Sequence, residues 1–204
     1  MFMLRIACLF LLIGCSRNAD PRQPAAASDT AALAKSASSP QAPNPIQEDA
    51  VNAGGLAWAA PKPFAARPPK STMRVAEYGV PSDDETELAV FFFGADQGGG
   101  VEANMARWVG QFHQPDGSET KAKRTERNVK GVNVSLVEAS GTYSGGMAMP
   151  GMPPKDAQPN SLLLGAIANG PGGLVFFKLI GPKGQVDSLR PAFDQLIESL
   201  HPLH

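Results

Sequence analysis

The chain has 204 residues, with 18 Lys and Arg against 19 Asp and Glu. That balance lacks the basic excess a nucleic-acid footprint needs and the charge that would recruit the chain to an anionic membrane. Its two cysteines, Cys8 and Cys15, both lie near the N-terminus, so any folded part downstream has neither a disulfide nor thiolate chemistry.

Met1 to Arg5 is a short, weakly basic start, and Ile6 to Ile13 is an apolar run broken only by Cys8. A membrane span takes about 20 apolar residues, so this run has the length of a signal-peptide hydrophobic region instead. It leads into Leu12-Ile13-Gly14-Cys15, which resembles the lipobox of bacterial lipoproteins. The resemblance implies that residues 1–14 are removed and that Cys15 is lipidated on its sulfur and amine. Each buried CH₂ of an acyl chain adds about 0.8 kcal/mol, so several chains anchor stably where one is marginal. Ser16 follows the cysteine in place of Asp, which in proteobacterial lipoproteins implies the outer membrane, with the domain facing the periplasm.

Residues 15–52 form the next segment. From Asp20 to Val51 it is Ala, Ser, Pro, Gln and Asn with few large apolar side chains. Such a stretch cannot bury enough surface to offset its ordering entropy, so it reads as a disordered tether.

A globular composition covers 53–204. Leu56 to Phe64 is extended, with Trp58 as an anchor and Pro61 and Pro63 excluding helix. Thr72 to Val80 reads as a strand, followed by an acidic turn (Asp83, Asp84, Glu85) and the apolar strand Glu87 to Gly94. Val101 to His113 reads as a helix, Glu119 to Asn128 as an edge strand protected by its charges, and Val132 to Tyr143 as an alternating strand. A Gly/Pro/Met loop fills 144–160. Leu162 to Asn169 and Leu174 to Ile180 form a hairpin around Gly170-Pro171-Gly172-Gly173. Ser188 to Leu200 is the last helix, with Ser188 as N-cap, Pro191 in the first turn and one apolar stripe.

Three strands, 87–93, 162–168 and 174–180, are apolar on both faces and need cover on both sides. Two helices supply it, and the short connections force antiparallel pairing. The expected fold is α+β: a mainly antiparallel sheet sandwiched between two helices, preceded by a signal peptide and a disordered linker.

On the first helix, Val101, Met105, Trp108, Val109 and Phe112 share one stripe, which should dock on the sheet. Asn104, Arg107 and Gln111 form a polar row beside it. That row either lines a cleft that binds something polar, or is a solvated shoulder, or hydrogen-bonds a neighbouring loop. Ala103, Ala106 and Gly110 form a small-residue row on the far side, which suits either helix propensity or a close backbone.

The pattern Phe93-Gly94, Gly98-Gly99-Gly100-Val101-Glu102-Ala103-Asn104 and Arg107-Trp108-Val109-Gly110-Gln111-Phe112 resembles a group of bacterial predicted lipoproteins. Gly141-Thr142-Tyr143, Leu164 to Ile167, Phe176 to Pro182 and the closing Phe193 to Leu200 segment match the same pattern. The resemblance covers roughly 54–200 and implies an α/β/α sandwich similar to the PsbP-like fold of photosystem II extrinsic subunits. A fold of that kind does not fix a function.

Gly98 to Ala103 also fits a dinucleotide fingerprint, with Glu119 about 20 residues on. The segment that follows is a charged edge strand and not the buried parallel strand a Rossmann unit requires, so the glycines are read as a turn. Met147, Met149 and Met152 are soft thioether donors suited to Cu(I), or adaptable cover for an apolar patch. His113, His201 and His204 are scattered, and no Ser-His-Asp grouping stands out. The expectation is therefore a lipid-anchored, non-enzymatic envelope protein that needs no cofactor and binds a partner protein or polar ligand through Asn104, Arg107 and Gln111. Cu(I) handling by the methionine loop is the alternative.

Overall fold

The computed structural model describes residues 51–81, 83–145 and 157–203. The chain runs β1 (Val51–Ala53), β2 (Leu56–Trp58), β3 (Ala65–Arg67), β4 (Arg74–Val80), β5 (Asp83–Phe92), α1 (Val101–Val109) and β6 (Phe112–His113). There follow β7 (Lys123–Val129), β8 (Val132–Tyr143), β9 (Gln158–Gly170), β10 (Gly173–Pro182), α2 (Lys183–Ser199) and β11 (His201–Pro202). The signal peptide 1–14, Cys15, most of the linker and Met147, Met149 and Met152 lie outside the described residues.

The main sheet has the order β3-β4-β5-β10-β9-β8-β6, with β7 paired to β8 beside β6. Its pairings are antiparallel throughout. The fold is α+β, and the sheet lies between the two helices. Strand parity sets the layers. Even-numbered residues of β9 and β8, such as Leu162, Leu164, Val134 and Leu136, join Val175, Phe177 and Leu179 of β10 in a core closed by Leu189, Phe193 and Ile197 of α2. On the other face Leu163, Ile167, Phe176 and Val137 pack against Met105 and Trp108 of α1 and Phe112 just after it. The strands expected to be covered on both sides are the central ones, β5, β10 and β9.

A second sheet, β1-β2-β11, joins the first described strand to the last. Val51 and Asn52, assigned to the linker on composition, pair with Trp58 and Ala57. His201 pairs with the other side of Ala57, and Leu203 N–H donates to Gly55 O at 2.9 Å. Trp58 is buried as expected; its indole N–H donates to the Tyr78 hydroxyl at 3.1 Å, and its ring meets Phe177 edge-on.

Several boundaries differ from the sequence reading. Helix α1 stops at Val109, because Gly110 caps it and Phe112 and His113 leave to pair with Tyr143 and Thr142. The acidic Asp83-Asp84-Glu85 segment is the start of β5 and not a turn, with Asp83 accepting from the Glu85 N–H and the Thr86 hydroxyl. Helix α2 starts at Lys183, so Ser188 is no N-cap and Pro191 lies inside the helix. The apolar stripe extends back to Val186, and Lys183–Asp187 and Asp187–Arg190 pairs support the early turns. Strand β7 begins at Lys123, and all of it but Val129 is exposed, as its charges require of an edge. The short β3 was masked in the sequence by the prolines around it.

Candidate functional site

Helix α1 covers only part of its face of the sheet, and the uncovered part is a cleft. It follows from where the helix begins. Gly98 and Gly99 have φ of +84° and +80°, a conformation that side-chain-bearing residues rarely adopt. A Cβ on Gly98 would stand 2.5 Å from Phe93 Cδ2. The glycines therefore bring the loop down against Phe93 before the chain turns into α1.

Asn104 fixes that turn. Its side chain is buried, and its Nδ2 donates to Gly98 O at 2.8 Å and Gly100 O at 2.9 Å. Gly100 offers no side-chain cap, so Asn104 fastens the helix start from inside. Its Oδ1 accepts from the Arg107 guanidinium. On the opposite side of α1, Glu102 pairs with Arg124 of β7; an acidic residue in a helix's first turn also suits the helix dipole.

Arg107 is exposed, and its hydrogen bond to Asn104 is its one recorded polar contact among the described residues. Gln111 follows the helix. Its carbonyl accepts from the Ser144 N–H and hydroxyl, which ties α1 to the end of β8. Its Oε1 accepts from Lys178 Nζ at 2.8 Å. Lys178 also donates to the Tyr143 hydroxyl at 3.3 Å and sits 5.2 Å from that ring's centroid, within cation–π range. Burial pushes the Tyr143 hydroxyl's pKa up, and the charge on Glu87 adds to the rise.

The three residues of the polar row thus do line one cleft, of about 630 Å³, but they do different work. Asn104 is committed to the glycine loop, Gln111 to Lys178 and Ser144, and Arg107 faces outward. The floor is aromatic. Phe91 and Phe93 stack at 6.2 Å, Phe93 leans on Phe176 at 5.6 Å, and Trp108 meets Phe176 edge-on. Met73 and Phe93, at 58% and 37% exposure, are large apolar side chains left open at its edge.

Trp108 reaches the floor because Gly165 of β9 has no side chain: a Cβ there would stand 2.6 Å from Trp108 Cζ3. The small row Ala103, Ala106 and Gly110 is exposed on the far side of the helix.

Beyond Met73 the same face of the sheet carries an ion cluster that sequence reasoning missed. Glu77 has a fully buried side chain and accepts from Arg67 Nε at 2.8 Å, Arg74 Nη1 at 2.6 Å and the Lys70 N–H at 3.0 Å. Glu87 accepts from Lys70 Nζ at 2.7 Å and Arg74 Nη2 at 3.0 Å. Burial alone would raise both carboxyl pKa values. The donors outweigh it, holding Glu77 below the usual range and Glu87 down to about 2. Arg74 also lies 5.6 Å over the Phe91 ring, joining the cluster to the cleft.

The missed lining residues left one signal. Lys178 is a lone charge in Leu-Val-Phe-Phe-Lys-Leu-Ile, a run whose neighbours are buried on both faces. A cation at such a position must open onto polar partners or a cleft. Among the described residues, no group of three or more His, Cys, Asp or Glu is placed to hold a metal ion, and no helix is long and apolar enough to cross a membrane.

No family model and no curated protein matches the chain. Among solved structures it is similar to the solution structure of cyanobacterial PsbP (CyanoP) from Synechocystis. The two are 14% identical over 73% of this chain and 87% of that one, with a TM-score of 0.48. It is also similar to PA94, a Pseudomonas aeruginosa protein of unknown function. There the identity is 15% over 76% of this chain and 88% of that one, with a TM-score of 0.37. Both superpositions are loose, and the fold class rests on the chain's own strand order and helix placement.

Proposed function

We propose that the chain is a non-enzymatic binding module of the bacterial cell envelope, tethered through lipidated Cys15 at the outer membrane and facing the periplasm. Its ligand or partner occupies the cleft beside α1. The observation that supports this is the cleft's make-up. It combines a concave aromatic floor with a few polar groups at the rim, the usual composition of a recognition pocket. Its amides are spent on holding the structure, which leaves Arg107 to meet a ligand. Beside the cleft, the shifted carboxyls of Glu77 and Glu87 belong to the ion cluster, where their partners account for the shifts.

The test is site-specific photocrosslinking of the full lipoprotein in envelope membranes. One probe replaces Met73 at the cleft edge, and the other replaces exposed Gln195 on α2. A defined adduct from position 73 alone, weakened by Arg107→Glu and by Cys15→Ser, is expected. Identical adducts from both positions, or none from position 73, would overturn the proposal.

A further inference from the structure

Resting on that cleft as a binding site, we infer that its ligand is a small aryl carboxylate: a flat aromatic body on the phenylalanine floor with its anionic end at Arg107 and Lys178. Charge complementarity selects the anion. The described residues that line the cleft include two cations and no carboxylate. The adjoining ion cluster does not reverse this sign, because Arg67, Lys70 and Arg74 there outnumber Glu77 and Glu87.

The partner of Arg107 points the same way. Arg107 is held by the neutral Asn104 amide, which orients the guanidinium at the rim without neutralising it. Lys178 has Gln111 Oε1 and the Tyr143 hydroxyl among the oxygens it donates to. A planar guanidinium oriented from one edge presents the fork geometry that a carboxylate meets bidentately.

The floor selects the body of the ligand. Phe91 and Phe93 are nearly parallel, at 15° between planes, while Phe176 and Trp108 are tilted to them. Together they offer both a face and edges to an incoming ring, the two arrangements aromatic pairs prefer. A volume of about 630 Å³ lies within the span of small-molecule pockets, roughly 300–1,000 Å³.

The experiment is equilibrium dialysis of 2-naphthoate, and separately its uncharged carboxamide, against the full chain in lipid nanodiscs. Empty nanodiscs correct for partition into lipid. The acid should bind saturably with one site per chain, and the carboxamide about ten-fold or more weaker, as the loss of a charged hydrogen bond implies. Arg107→Gln should weaken the acid by a similar factor with little effect on the carboxamide, and Arg107→Lys should restore part of the loss. Lys178→Met should act in the same direction. Arg107 is exposed, so its variants keep the test decisive if the Lys178 variant fails to fold.

Equal binding of acid and carboxamide, no saturable binding of either, or an Arg107→Gln protein that binds the acid unchanged would each overturn the inference. Photoadducts from position 73 alongside any of those results would leave the binding module standing and remove only the aryl carboxylate.

Discussion

Replacing Gly165 by alanine tests the packing that places Trp108 on the cleft floor. The added methyl would lie 2.6 and 2.7 Å from Trp108 Cζ3 and Cε3 and 2.9 Å from Val137 Cγ1, well inside contact distance. Trp108 and Val137 are only 5% and 2% exposed, so neither can swing into solvent without uncovering core. Inserting a methyl into such a site costs about 1–3 kcal/mol. For a domain of this size each kcal/mol shifts Tm by about 2–4 °C, so melting should fall by about 2–12 °C. The chain has two tryptophans, so 5-fluorotryptophan NMR reads each indole separately. The Trp108 resonance should move while Trp58, on the other face of the sheet, stays in place. Unchanged melting, or a shift confined to Trp58, would refute this account of the close approach.

Glu87, held down to about 2 from an ordinary 4.5, makes stability depend on pH. Its folded pKa is depressed, so the contribution is complete above about pH 4.5 and is lost as pH falls toward 2. The full shift corresponds to about 3 kcal/mol, reduced to about 2 because Lys70 is 58% exposed and solvent screens it. Urea titrations across that range should show the loss in the natural chain and less of it in Glu87→Gln; an identical loss in both would sink the assignment. Asn104→Asp keeps the shape but sets a carboxylate against the Gly98 and Gly100 carbonyls. It should destabilise at least as much as Asn104→Ala, whose lost buried hydrogen bonds cost about 1–3 kcal/mol, and a milder Asp variant in chemical denaturation would contradict the donor role. Trp58→Phe leaves the Tyr78 hydroxyl without its donor and should cost about 1–2 kcal/mol by the same assay; a neutral result would show that the bond contributes nothing net.

What was legible in the sequence followed from periodicity. Met105 and Trp108 of the helical stripe and the run Leu162 to Ala168 pack as their spacing requires, and Phe112 joins the same cluster from β6 and not from the helix. The layers were legible because doubly apolar strands require two covers. The start of α2 was hidden because Gly181-Pro182-Lys183-Gly184 has turn chemistry, while the burial of Val186 and Leu189 overrides it. Asn104, Arg107 and Gln111, grouped by helical spacing, line one cleft. Their separate hydrogen-bond duties depend on Gly98, Ser144 and Lys178, which only the tertiary fold brings alongside. Glu77 was invisible for a similar reason: its partners Arg67 and Lys70 approach from β3 and the segment after it.

The small sheet that holds Ala57 between Asn52 and His201 bears on how the domain folds. Strand β2 finds β1 across a two-residue turn, but finds β11 only after nearly the whole domain has been made. Contacts of such separation carry a large loop-closure cost and form slowly unless the intervening chain has already condensed. During synthesis the early hairpin must wait for β11 before its own sheet is complete. A chain that stops short of Leu200 would hold most of the main sheet's pairings and still lack the last strand of that junction. Such a chain would offer quality-control proteases an unfinished N-terminal edge.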